Sequence, residues 1–120
     1  MKYILIAEDE EMNQEILHEL LDDDYELSFV EDGAACLESI SNRKPDLLLL
    51  DVSMPVMNGI EVCQRIRQDK LFLDLPIIMV SGHASGLSSK AGMDVGANAY
   101  ISKPFSLVDL RNQIQLYIGD

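Results

Sequence analysis

The sequence predicts a doubly wound α/β domain of three layers, built on a five-stranded parallel sheet, and three observations carry that expectation. Short β-branched or leucine-rich runs alternate five times with longer stretches whose apolar residues recur at i, i+3 and i+4. Three of the runs are nearly all apolar, as parallel strands covered on both faces must be. The 120 residues, 48% of them apolar, suffice for one core, so residues 1–120 are expected to form a single domain.

In chain order, Tyr3 to Ala7 reads as the first strand, too short to span a membrane and with no signal-peptide cleavage region after it. Met12, Ile16, Leu17, Leu20 and Leu21 then form a helical stripe, with Glu15, His18, Glu19 and Asp22 on the other side. Glu26 to Val30 is the second strand, and Leu37 and Ile40 mark the second helix. Asp46 to Leu50 is the third strand and the most apolar; Ile60, Cys63 and Ile66 mark the helix after it. Pro76 to Val80 is the fourth strand. The fourth helix, marked by Leu87, Ala91 and Val95, contains Gly86 and Gly92, each costing on the order of 1 kcal/mol relative to alanine. Ala99 to Ser102 is the fifth strand. The last helix carries Leu107, Leu110, Ile114 and Ile118 and opens on a capping-box-like Ser106 to Asp109. Right-handed crossovers between such units give the (βα)5 sandwich.

Composition excludes several functions. A formal charge of −12 repels nucleic-acid phosphates and anionic lipid, so no direct binding to nucleic acid or membrane is expected. Cys36 and Cys63 lie in apolar helical patterns without metal-ligand spacing and read as reduced core thiols. These features together point to the cytoplasm. No GxxxxGK[ST] is present, which removes a P-loop hydrolase. A flavin binder would share the topology, but Glu8-Asp9-Glu10-Glu11 puts four acids where a phosphate-binding loop needs N–H groups and hydroxyls.

Ligands of open parallel sheets bind beyond the carboxyl ends of the strands. Just past four of the expected strands stand Glu8-Asp9, Asp51, Ser81 and Lys103. A flavodoxin-like strand order, 2-1-3-4-5, sets those four ends side by side and leaves the second strand at the edge. Three carboxylates in a partly desolvated cleft call for a cation, and Mg²⁺ suits best because it takes one or two carboxylates and accepts phosphate oxygens as further ligands. An aspartate in such company can act as a nucleophile and form an aspartyl-phosphate, with metal and lysine neutralising the transferring group. A lone Asp after a strand is more often a turn or cap residue; its neighbours reverse that reading for Asp51.

The ordered motifs AEDE (Ala7 to Glu10), LLLLDVSMPVMNG (Leu47 to Gly59), IIMVSGHA (Ile77 to Ala84) and AYISKPF (Ala99 to Phe105) resemble those of the response-regulator receiver domain of two-component signalling, and the resemblance spans essentially the whole chain. It implies that Asp51 is the phosphoacceptor and Asp9 a direct Mg²⁺ ligand, with Mn²⁺ as a substitute. Glu8 would help hold the metal through water, and the backbone carbonyl of Ser53 would be a further ligand. Ser81 and Lys103 would contact the phosphoryl oxygens, Pro104 would be a cis-proline, and Tyr100 the aromatic whose rotation accompanies switching. Ser53 and His83 occupy the places that influence access of water to the phosphate. Glu8 stands where Asp is more usual, and Ser81-Gly82 replaces a frequent Thr-Ala pair.

Such a protein is not a conventional enzyme; it promotes its own phosphorylation and autodephosphorylation. The implied donor is a sensor histidine kinase or a histidine phosphotransfer protein. The implied output is a downstream protein or domain, or a phosphorylation-dependent homodimer, through the fourth helix, fifth strand and fifth helix. The rival from another class is an interaction module of the same fold that works without phosphorylation.

Overall fold

The computed structural model describes residues 1–82, 93–104 and 106–119. Its elements are β1 (Tyr3–Ala7), α1 (Glu11–Leu21), β2 (Glu26–Val30), α2 (Gly33–Asn42), β3 (Leu47–Asp51), α3 (Gly59–Arg67), a 3-10 turn (Lys70–Phe72), β4 (Ile77–Gly82), β5 (Ala99–Lys103) and a C-terminal helix (Leu107–Ile118). The strands pair in parallel in the order β2-β1-β3-β4-β5, as expected.

Alternation along the central strands divides the core in two. Ile4, Ile6, Leu47, Leu49, Ile78 and Val80 pack on one face with Leu17 and Leu21 of α1 and Leu110 and Ile114 of the C-terminal helix. Leu5, Ala7, Leu48, Leu50, Ile77 and Met79 pack on the other with Cys36 and Ile40 of α2 and Val62, Cys63 and Ile66 of α3. Each fully buried Leu or Ile contributes about 1.5–3 kcal/mol, so two filled faces hold the central strands in register. Both cysteines are free thiols in the second cluster, and burial pushes Cys36 up to about 12.

The structure corrects the sequence reading at several points. Three strands run further than expected: β3 takes in Asp51, paired in register with Val80, while β4 reaches Gly82 and β5 reaches Lys103. Asp46 is not in β3; its carboxylate accepts from the Tyr3 N–H at 2.7 Å. Met12 and Ile16 are 71% and 41% exposed rather than core. They lie on an i, i+4 row about 100° round the helix from Leu17 and Leu21, and only the latter row faces the sheet squarely. Leu107 is likewise exposed. Of the expected fourth helix, Gly86, Leu87, Ala91 and Gly92 lie outside the described residues, while Val95 packs against the α2–α3 side of the core. No helix among the described residues is long and apolar enough to cross a membrane.

Helix α3 is anchored directly beneath the end of β3. The Gly59 N–H donates to the Val52 carbonyl at 2.8 Å, and a Cβ on Gly59 would stand 2.5 Å from the Asp51 carbonyl oxygen and 2.9 Å from the Val52 Cα. These are backbone atoms of a buried strand end and cannot swing aside. Gly59→Ala gains about 1 kcal/mol of helix propensity and loses about 3 kcal/mol to overlap. The expected net loss of about 2 kcal/mol is read as a lowered urea midpoint; an unchanged midpoint would show that the strand end can shift.

Candidate functional site

The site forms where β1, β3 and β5 end. Asp51, the last residue of β3, is 4% exposed, Glu8 just past β1 is 2% exposed, and Asp9 is exposed. One carboxylate oxygen from each of the three lies within 4.8 Å of the others. Lys103, the last residue of β5, places its Nζ 2.9 Å from Glu8 Oε1 and 3.1 Å from Asp51 Oδ2. The remaining oxygens are held by backbone: Ser53 N–H donates to Asp51 Oδ1 at 3.1 Å and Glu10 N–H to Glu8 Oε2 at 3.1 Å. The Gln14 amide of α1 donates to the Glu8 carbonyl at 2.6 Å, fixing the turn that presents Glu8 and Asp9.

The Lys103 ammonium pairs with two of the three clustered carboxylates, and the electrostatics follow. Burial first, then the charge of Glu8, push Asp51 up to about 6; Lys103 and the Ser53 N–H pull it down but do not prevail. Burial works to lower Lys103, but its hydrogen bond to Glu8 and the charges of Asp51 and Glu8 outweigh that and raise it. Among the described residues the cluster is therefore short of positive charge. Its donors are all carboxylate oxygens, the hard ligands that Mg²⁺ and Mn²⁺ take, so the residues present fit a divalent ion.

The other predicted residues take these places. Ser81 is fully buried on β4, one residue beyond the register partner of Asp51, and its hydroxyl donates to the Gly82 carbonyl at 3.2 Å. Ser53 is exposed on the loop after β3, and His83 lies outside the described residues. Tyr100 is half-buried on β5 against the α2–α3 core, paired in register with Met79. The Lys103–Pro104 peptide is cis. Tyr100 and Pro104, with Ser102, Ser106 and Asp109, line a cavity of about 510 Å³ between β5 and the C-terminal helix. Sequence reasoning missed Gln14 and the Glu10 N–H. Both act through the backbone of a turn, which leaves no residue pattern to find.

A family model described as the response regulator receiver domain matches residues 4–115. The response regulator MprA of Mycobacterium leprae is 33% identical over 115 residues, covering 96% of this chain and 50% of its own length. The chain thus spans about half the length of that curated relative. A crystal structure of a response regulator from Chloroflexus aurantiacus superposes with a TM-score of 0.92 at 31% identity, covering 99% of this chain and 98% of that one. The receiver domain of the sensor histidine kinase PA1611 of Pseudomonas aeruginosa, with a magnesium ion coordinated in its active-site cleft, superposes with a TM-score of 0.89 at 28% identity over 99% and 98% of the two chains.

Proposed function

Since the chain belongs to the response regulator receiver domain family, whose members accept phosphoryl groups in two-component systems, we propose that Asp51 is its phosphoacceptor. The observation that supports this best is the placing of Asp51: a buried strand-end carboxylate, one oxygen on Lys103 and the other on the Ser53 N–H, beside the carboxylates of Glu8 and Asp9. An oxygen of Asp51 attacks phosphorus while the bond to the donor's imidazole nitrogen breaks. The electron pair leaves on that nitrogen, which takes a proton. Lys103 neutralises the added charge, and the Ser81 hydroxyl is a donor for a phosphoryl oxygen. Asp9, Asp51 and the Ser53 carbonyl would hold Mg²⁺, with Glu8 through water; when bound, the ion supplies positive charge to the phosphoryl oxygens. The same group of residues promotes hydrolysis of the aspartyl-phosphate, with Ser53 and His83 setting access of water.

The donor is a histidine kinase or histidine phosphotransfer protein in the cytoplasm. The output runs through the face made by β5, the C-terminal helix and the helix expected before β5, with Tyr100 and the cis Pro104 at its edge. That face would hold a downstream partner or a second, phosphorylated copy.

Incubation with a small acyl phosphate and Mg²⁺ tests the reading. One acid-stable, base-labile phosphate is expected, absent with chelator and in Asp51→Asn. A second reading, a module that binds partners without phosphorylation, draws on the ion pair between Glu8 and Lys103, which occupies the lysine within the cluster. No adduct from any donor would favour it.

Metal binding has its own readout. At ten times the dissociation constant, Mg²⁺ is expected to stabilise the folded protein by about 1.4 kcal/mol. Asp9→Asn removes an exposed ligand, so it should leave the metal-free melting temperature within a degree or two and abolish the Mg²⁺-dependent rise. A rise that survives in Asp9→Asn would place the ion elsewhere.

A further inference from the structure

Among the described residues, α2, α3 and the C-terminal helix each open on a side chain that accepts from a backbone N–H of the first turn: Asp32 from Ala35, Asn58 from Glu61 and Ser106 from Asp109. Helix α1 opens differently. Its N-cap, Glu10, makes no side-chain cap hydrogen bond. The acid before it is committed to the cluster, for Glu8 turns one carboxylate oxygen to Lys103 and the other to the Glu10 N–H. The brace comes instead from inside the helix. Helical side chains lean toward the N-terminus, so Gln14 reaches back over the turn and donates its amide to the Glu8 carbonyl at 2.6 Å.

That carbonyl belongs to the peptide joining Glu8 to Asp9. The peptide is planar, so its tilt sets the direction in which the Asp9 side chain leaves the backbone. On the near side the chain is already fixed, by the Glu8 N–H on the Val30 carbonyl at 2.9 Å. Gln14 fixes the tilt itself, and its own backbone N–H donates to the Glu10 carbonyl at 3.0 Å, so one residue ties both ends of the turn. Gln14 is half-buried and is not one of the clustered carboxylates. Groups that hold a metal ligand in place without touching the metal are worth about 10–100-fold in metal affinity. The ion matters too: Mg²⁺ demands near-ideal octahedral geometry, whereas Ca²⁺ accepts irregular ones.

We propose that Gln14 is a positioning residue for the divalent ion: its hold on the Glu8–Asp9 peptide aims the Asp9 carboxylate, and so sets both the affinity for Mg²⁺ and the preference for Mg²⁺ over Ca²⁺. This rests on Asp9 and Asp51 being the ion's ligands. A turn left free to swing must be ordered when the ion binds, and the ion with the stricter geometry requires more ordering.

Two variants test it. Gln14→Leu keeps the reach of the side chain and removes the donor. Gln14→Glu keeps the shape, removes the donor and adds a negative charge beside the cluster, which through charge alone would strengthen cation binding. Titration calorimetry gives the dissociation constants for Mg²⁺ and for Ca²⁺, and melting in chelator shows that the variants fold; if one does not, the other carries the test. Both are expected to bind Mg²⁺ about tenfold more weakly and to lose less affinity for Ca²⁺, so that the preference for Mg²⁺ narrows. Tighter Mg²⁺ binding by Gln14→Glu means that charge rather than aim governs the site, and overturns the proposal. Equal losses for the two ions overturn it as well, because a general loosening of the fold does not discriminate between them. Unchanged Mg²⁺ affinity in the variants does the same. Wild type that binds neither ion sinks the metal reading and this proposal with it; wild type whose Mg²⁺ binding is lost in Asp9→Asn but unaltered in the Gln14 variants sinks this one alone.

Discussion

Asp51→Asn is expected to unfold at a higher urea concentration than wild type at pH 7.5 and at nearly the same concentration near pH 4. Burial and the charge of Glu8 raise Asp51 from 3.8 to about 6, so the folded state binds this proton more tightly than the unfolded chain does. The stability associated with the raised group is fully present below 3.8 and is lost as pH rises through 6. At pH 7.5 the loss is complete, a penalty of about 2–3 kcal/mol for keeping the carboxylate ionised at the strand end. Asparagine keeps the shape, keeps an oxygen for the Ser53 N–H and carries no charge. It leaves Glu8 and Lys103 as a matched pair. The variant thus gains stability while losing the proposed reaction, as expected where a site is arranged for chemistry rather than for stability. A variant less stable than wild type at pH 7.5 would mean that Lys103 stabilises Asp51 more than burial and Glu8 penalise it.

The strand-by-strand architecture was legible because the central strands are covered on both faces and so read as unbroken apolar runs, as in Leu47 to Leu50. Their ends were not. Asp51, Ser81 and Lys103 lie within strands because backbone pairing continues past the point where apolar residues stop, and hydrophobic pattern does not report pairing. The stripe of α1 was read too wide for a related reason. Met12 and Ile16 keep helical spacing, but the orientation of the helix on the sheet, set by Leu17 and Leu21, decides which row is covered. At the site, the strand-end rule brought Glu8, Asp9, Asp51 and Lys103 together from sequence alone. It could not show that Lys103 bridges Glu8 and Asp51, since that depends on side-chain reach. Arg67 shows the same limit away from the site: it donates to the carbonyls of Gly96 and Phe72 and to the Asn98 side chain, tying the end of α3 to segments flanking β4. One long side chain with three acceptors, two of them about thirty residues away, has no sequence period.

Lys103→Met should be the more damaging change, and in the opposite direction from Asp51→Asn. Methionine matches the length of lysine but leaves Glu8 and Asp51, both almost fully buried, with no positive partner within hydrogen-bond distance among the described residues. Removing one member of a buried ion pair costs about 3–5 kcal/mol, chiefly because the remaining charge stays desolvated. Lys103 is 19% exposed, so the lower end, about 3 kcal/mol, is expected at pH 7.5. Two further measurements separate this cause from lost packing. In the Asp51→Asn background the same substitution leaves one stranded carboxylate instead of two, so it should cost about 1–2 kcal/mol less, and the difference is the coupling between Lys103 and Asp51. Mg²⁺ should also stabilise Lys103→Met more than it stabilises wild type, because a divalent ion beside Asp9 and Asp51 supplies the charge the variant lacks. Equal costs in both backgrounds with an unchanged response to Mg²⁺ would reduce Lys103 to its methylenes. A large coupling together with a stronger Mg²⁺ response would establish that the lysine and the ion neutralise the same excess of negative charge, which is the condition the cluster needs before a phosphoryl group can approach it.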